Sequence, residues 1–336
     1  MTNLSPTLQH LMQQGCAFLG TSFAIMGGAM SWVSERHLVA AISNGGGFGT
    51  IACGSMSPDL LRQEIQGTKA LTTKPFGVNL ITMHPQLDAL IDVCLAEKVS
   101  HIVLAGGLPS APAVKKVKEG GAKLMCFTPT AALGKRLVRM GADALIIEGM
   151  EAGGHIGPVS TSVLAQEILP AIREVPVFVA GGIGRGELIA SYLEMGAAGV
   201  QLGTRFVCAA ESIAHPKFKQ AFIRAAARDA VPSVQIDTRF PVIPVRALVN
   251  EGSKRFMDKQ REVIARFDQG TLTKEAAQLE IEHFWAGALR RAVIDGDTEN
   301  GSVMAGQSVG MVTKEQPVAE ILAELLQQAE KALENR

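Results

Sequence analysis

VFVAGGIGRGELIASYLEMGAAGVQLGTRF, residues 177–206, carries the pattern on which the fold turns. A short apolar run, VFVA, ends in the glycine cluster GGIGRG (181–186). GELIASYLEMG then places apolar residues at helical spacing and ends in glycine, as a helix C-terminus often does. GVQL (199–202) is a second short apolar run, and it too runs into glycine, in GTRF (203–206). Strands this short and apolar are buried on both faces, as a parallel sheet requires, and the helix between them is the crossover. The stretch is one βαβ unit with a glycine loop after each strand.

Working outward, the unit repeats. FAIM (23–26), FGTIAC (48–53), FGVNLI (76–81), HIVLA (101–105), LMCFT (124–128) and ALIIE (144–148) are further strand-like runs, mostly ending at glycine or proline. SERHLVAAISN, PDLLRQEIQGTKAL, LDALIDVCLAEK, APAVKKVKEGG and TAALGKRLVRMG read as helices between them. Eight βα units with no ninth strand predict a closed (β/α)8 TIM barrel in preference to an open doubly wound sheet. Beyond Ser212 the pattern changes. Residues 213–300 are charged and helical, with one strand-like piece at PVIPVRALV. They predict a small, mostly helical insertion or lid after strand eight. The barrel is expected over 18–212 and 301–336, where VAEILAELLQQAEKALENR supplies its last helix.

The composition narrows the function. The 336 residues are 47% hydrophobic and 19% charged, with a formal net charge of zero. No basic stripe with interleaved aromatics points to nucleic acid, and no charge excess points to a membrane surface. No apolar run has the length of a membrane span, and the N-terminus lacks the pattern of a signal peptide, so a cytoplasmic location is expected. Cys16, Cys53, Cys94, Cys126 and Cys208 are scattered, with no C-x-x-C pair, which reads as buried thiols rather than a disulfide framework or a zinc site. No metal is expected.

Barrel sites lie at the C-terminal ends of the strands. That face would receive Gly27, Gly28, Asn79, Gly106, Glu148, His155, Gly181, Gly182, Gly203 and Thr204. The loops after strands seven and eight are common phosphate sites in barrels, because glycine lets backbone N–H groups approach phosphate oxygens. Tight-turn glycine is the competing explanation for each loop taken alone. No G-x-x-x-x-G-K-[ST] motif is present. Asn79 offers donors and an acceptor to the edge of a planar heterocycle, or stabilises a turn. In EGMEAGGHIG (148–157), His155 is the candidate acid or hydrogen-bond donor, and Gly153 and Gly154 leave room beside it for a planar group. Glu148 is a candidate ligand contact, whereas Glu151 reads as a solvated loop carboxylate. Met304, in GSVMAGQ, either packs on an aromatic ring or fills core.

These motifs together carry a resemblance. EGMEAGGHIG, AGGIGRGE, GVQLGTRFVCAAES, KPFGVN, IMGGAMSWV and DGDTENGSVMAGQ resemble the FMN-dependent barrel family of nitronate monooxygenases (2-nitropropane dioxygenases) and flavin-type enoyl-acyl carrier protein reductases, from about residue 18 to the C-terminus. The resemblance implies FMN at the strand C-termini. Its phosphate would lie on Gly181, Gly182, Gly203 and Thr204, with Gly27, Gly28, Asn79 and Gln201 near the ring. His155 matches the family's active-site histidine, and Met304 and Gly306 match a loop that closes over the flavin in the reductase branch. EGMEAGGHIG and GSVMAGQ look like that branch, whereas AGGLPS (105–110) departs from it. The implied reaction is NADH- or NADPH-driven reduction of a 2-enoyl thioester, with acyl carrier protein a candidate partner and a homodimer compatible. Nitronate oxidation with dioxygen and quinone reduction are the alternatives, and a non-enzymatic flavin-binding barrel is a further one. For a carrier protein, Lys217, Lys219, Arg224 and Arg228 would form a basic rim or simply a solvated helix face.

Overall fold

The computed structural model describes residues 4–54, 56–285 and 287–335. Eight parallel strands form one sheet: Ile25–Gly27, Gly49–Ala52, Phe76–Ile81, His101–Ala105, Lys123–Phe127, Ala144–Glu148, Val177–Ala180 and Gly199–Leu202. The first pairs with the last, and the Met26–Phe48 bridge joins the first to the second. Phe48 N donates to Ile25 O and Gly27 N to Phe48 O, at 2.9 and 2.8 Å. The sheet is therefore closed into a barrel.

Alternation along the strands separates two cores. Ile51, Val78, Leu104, Leu145, Ile147, Val179 and Val200 face outward onto the helices. Met26, Phe48, Val103, Met125, Ile146 and Phe178 fill the interior. Because the side-chain period of a strand is two, Asn79, Glu148 and Gln201, each beside an outward residue, point inward near the strand ends.

The helix Pro6–Leu19, ahead of the first strand, stops the floor of the barrel. Phe18 meets the buried His101 ring edge-on at 5.1 Å, and His101 Nε2 lies 3.0 Å from the Phe18 carbonyl. Lys123 Nζ donates to the same carbonyl. Burial lowers the His101 pKa to about 4, so it is a neutral packing residue at neutral pH. With the floor sealed, the strand C-termini are the open end.

The helix Val318–Glu334 closes the ring by packing on Gly186–Glu194 and Arg36–Asn44. The sequence reading named no helix after strand six, yet Thr161–Ile168 lies there. Between Ser212 and Gly301, Phe240, Phe256, Val263, Ala277 and Ile281 form a cluster separate from the barrel's. Phe218, Phe222 and Val293, which flank it in sequence, and Leu248, which lies within it, join the barrel's outer core instead. Among the described residues no helix is long and apolar enough to cross a membrane.

Candidate active site

The loop after strand one is fixed by Ser34, whose Oγ donates to Gly28 O (2.8 Å) and accepts from Met30 N (3.0 Å). Gly28 N donates to Leu202 O at 2.8 Å, which brings the loops after strands one and eight together. A Cβ on Gly28 would stand 3.4 Å from Gly203 Cα, and one on Gly203 would stand 3.4 Å from Met30 Sδ. Met30 belongs to this wall, although its place was not legible in the sequence. In the same loop Trp32 adopts φ 68, and Arg290 lies 5.7 Å from its ring centroid.

After strand seven, Gly181 and Gly182 have φ of 95 and 74, a region glycine enters without strain. A side chain at Gly182 would come within 2.9 Å of Glu151 Cβ. Among the described residues, Gly182, Gly203 and Thr204 donate no backbone hydrogen bond within the protein. Thr204 Oγ1 accepts from Gly306 N at 2.9 Å, which leaves the hydroxyl proton available. Asn79 and Gln201 are buried on the inner face below these loops.

Residues 148–157 supply the other wall. Glu148 ends strand six in a concavity, partly accessible but surrounded by protein, and burial pushes its carboxyl up to about 7. Glu151 is not the solvated carboxylate expected. Its Oε2 accepts from Thr161 N and Thr161 Oγ1, each at 2.9 Å, and so caps the helix Thr161–Ile168. Gly153 packs against the 305–306 backbone, where a Cβ would stand 2.5 Å from Gly306 N. Met304 reaches Gly154, with Sδ 3.6 Å from where a Cβ would be. His155 is open to solvent at the mouth, while its protein surroundings still lower its pKa. The imidazole is then neutral at neutral pH, with one N–H to donate and one nitrogen to accept.

Two residues missed in the sequence hold this wall. Gly154–His155 is itself a short strand, paired antiparallel with Val245–Leu248 of the insertion. The buried Arg246 donates from Nε to Met150 O at 2.9 Å. Thr161, the other, receives Glu151. The four basic residues considered as a rim separate. Lys217, Arg224 and Arg228 are exposed, whereas Lys219 is buried, with Nζ 2.7 Å from Glu315 Oε1 and 2.8 Å from Ala209 O. Lys219 is thus no part of a rim; its charge is neutralised by an acid 96 residues away. Burial raises all five thiols, Cys16 to about 11 and Cys53, Cys126 and Cys208 to about 12, so none is primed as a nucleophile.

Residues 13–90 and 81–328 match the family model described as nitronate monooxygenase. This chain belongs to that family. Within and around it, the chain is 30% identical to a (3aS,4S,5R,7aS)-5-hydroxy-7a-methyl-1-oxo-octahydro-1H-indene-4-carboxyl-CoA dehydrogenase of Rhodococcus jostii (strain RHA1), over 88% of this chain and 89% of that one. It is 28% identical to a nitronate monooxygenase of Paraburkholderia phytofirmans, over 94% of each. The structure of FabK from Thermotoga maritima is similar at 36% identity and a TM-score of 0.85, over 95% of this chain and 96% of that one. The nitronate monooxygenase family consists of flavin-dependent oxidoreductases, and this chain is an FMN-dependent oxidoreductase. The strand ends suit the cofactor. The unengaged N–H groups of Gly182, Gly203 and Thr204 match a phosphate, and the Gly28–Gly203 approach leaves a backbone surface that a side chain would fill.

Proposed function

We propose that this protein reduces 2-enoyl thioesters, with NADH or NADPH as the reductant. The observation that carries the reading is the approach of Met304 to Gly154, beside His155. It is the arrangement expected of a reductase-branch loop that closes over the site. The Rhodococcus relative supports the substrate class, since its name is that of an enzyme acting on a CoA thioester.

Bound FMN supplies the hydride chemistry, and the protein supplies position and electrostatics. Gly181, Gly182, Gly203 and Thr204 would hold the phosphate by backbone N–H groups and the Thr204 hydroxyl. Gly27 and Gly28 would leave room for the ring beside the backbone, and Asn79 and Gln201 would address its polar edge from the barrel interior. Glu148, with its raised pKa, is partly protonated near neutrality and can donate as well as accept. His155 donates a hydrogen bond to the thioester oxygen, where negative charge accumulates as the β-carbon is reduced. The strand Val245–Leu248 of the insertion lies beside His155 and Met304. Lys217, Arg224 and Arg228 are the exposed cations that an acidic carrier protein would meet.

The test is anaerobic stopped-flow absorbance of the FMN-loaded protein. NADH or NADPH should bleach the flavin and crotonyl thioester should restore it. In His155→Ala, reoxidation should slow by about 100- to 1000-fold, with FMN affinity retained. Bleaching by ethyl nitronate with both nicotinamides inert would sink the proposal in favour of nitronate oxidation, the reaction named for the Paraburkholderia relative.

A further inference from the structure

We infer that Arg246 is a positioning residue for His155, and that the strand Val245–Leu248 belongs to the fixed wall of the active site rather than to a lid that swings clear. The inference rests on the reading of His155 as catalytic.

One strand of the insertion holds the loops that carry His155 and Met304. Along one edge, Val245 pairs with His155 and Arg246 with Gly154, and Ile156 N donates to Pro244 O at 3.0 Å. Further along, Ala247 bridges Met304, and Leu248 N donates to Val303 O at 2.9 Å. Its other edge pairs with Ala230–Pro232. The loops carrying His155 and Met304 are therefore aligned by the same four residues.

Arg246 adds a second point of attachment. It is 2% exposed, and its guanidinium spans two carbonyls, Nε to Met150 O (2.9 Å) and Nη1 to Ala230 O (2.6 Å). The carboxylate it senses, Glu151, turns Oε2 to Thr161. A buried guanidinium satisfied by neutral carbonyls is costly, and an apolar side chain of similar volume would fill the space without that cost. What the guanidinium contributes is a rigid, planar set of donors with fixed directions. Here they fix Met150 at the start of the 149–155 loop, while the ladder fixes its end. Two fixed points set the direction of His155. Any swing of the insertion about this strand would break the ladder and the Met150 bond together. The segment with its own core around Phe256 is packed separately from this ladder.

The test compares Arg246→Met, Arg246→Lys, His155→Ala and the double variant Arg246→Met/His155→Ala. In Arg246→Met, reoxidation of the reduced enzyme by crotonyl thioester should fall about 10- to 100-fold, as a small misplacement of a reacting group does. FMN affinity and the rate of reduction by nicotinamide should stay within about twofold. Arg246→Lys should recover part of the loss. Since Arg246 acts through His155, the double variant should be no slower than His155→Ala alone. In protein without flavin, hydrogen exchange of Arg246→Met should quicken at residues 150–156 and not in the barrel strands. Wild-type reoxidation by Arg246→Met, losses that multiply in the double variant, or exchange quickened across the barrel would overturn the inference. Should Arg246→Met not fold, Arg246→Lys decides by the same two readouts, with exchange and rate both at wild-type values counting against. If the thioester fails to reoxidise the wild-type enzyme, the proposed reaction is wrong, and hydrogen exchange still decides the clamp.

Discussion

At the residue scale, the site depends on groups whose surroundings alter their ordinary chemistry. Glu148 is the clearest. Its carboxyl moves from 4.5 to about 7 on burial. Between those values the native protein holds a proton that the unfolded chain has released. Stability therefore falls as pH rises through that window, and the loss is complete above it. In flavin-free protein, Glu148→Gln should melt with the wild type at pH 4.5 and roughly 2 °C or more above it at pH 8. Equal melting at pH 8 would mean that Glu148 is solvated. Glu151, three residues on, illustrates what sequence spacing leaves open. Nothing in EGMEAGG marks it as a cap, because its partner Thr161 comes ten residues later and meets it only through the folded loop.

At the scale of single elements, the glycine loops were readable because their spacing after apolar runs is a local property. Which glycines are indispensable was not. Gly182 combines φ 74 with a neighbour 2.9 Å from any added Cβ, whereas Gly157 has nothing within 4 Å. Gly182→Ala should cost about 1–2 kcal/mol in backbone strain and weaken FMN binding at least tenfold in a fluorescence-quenching titration. Gly157→Ala should bind FMN as the wild type does; similar affinities for the two variants would separate the strand-seven loop from the phosphate. The strands Gly154–His155 and Ala230–Pro232 escaped the sequence reading for a simple reason. Elements of two or three residues have no period to detect, and they exist only because Val245–Leu248 lies between them.

For the whole molecule, the separate cluster around Phe256 makes the segment 240–281, apart from the strand Val245–Leu248, energetically divisible from the barrel. Phe256→Ala removes a fully buried ring, a change that typically costs about 3–5 kcal/mol. The cost should fall on the segment packed around Phe256 alone. Limited proteolysis followed by mass spectrometry should show earlier cleavage between Phe267 and Thr273, with FMN still bound. Loss of flavin in step with cleavage would show instead that barrel and insertion unfold as one unit.

The sequence by itself determined the eight strands, most of the helices between them and the face on which a ligand would sit. Short apolar runs, helical periodicity and the conformational freedom of glycine are local signals, and the barrel is their repetition. Tertiary structure alone decided the rest. It closed the ring through the Met26–Phe48 bridge, buried Lys219 against Glu315, turned Glu151 into a helix cap and laid Arg246 under the His155 loop. Each of these joins residues that no local pattern links, from ten apart for Glu151 and Thr161 to 96 apart for Lys219 and Glu315. Their energies come from burial and from partners that exist only once the barrel has formed, so no stretch of sequence carries their signature.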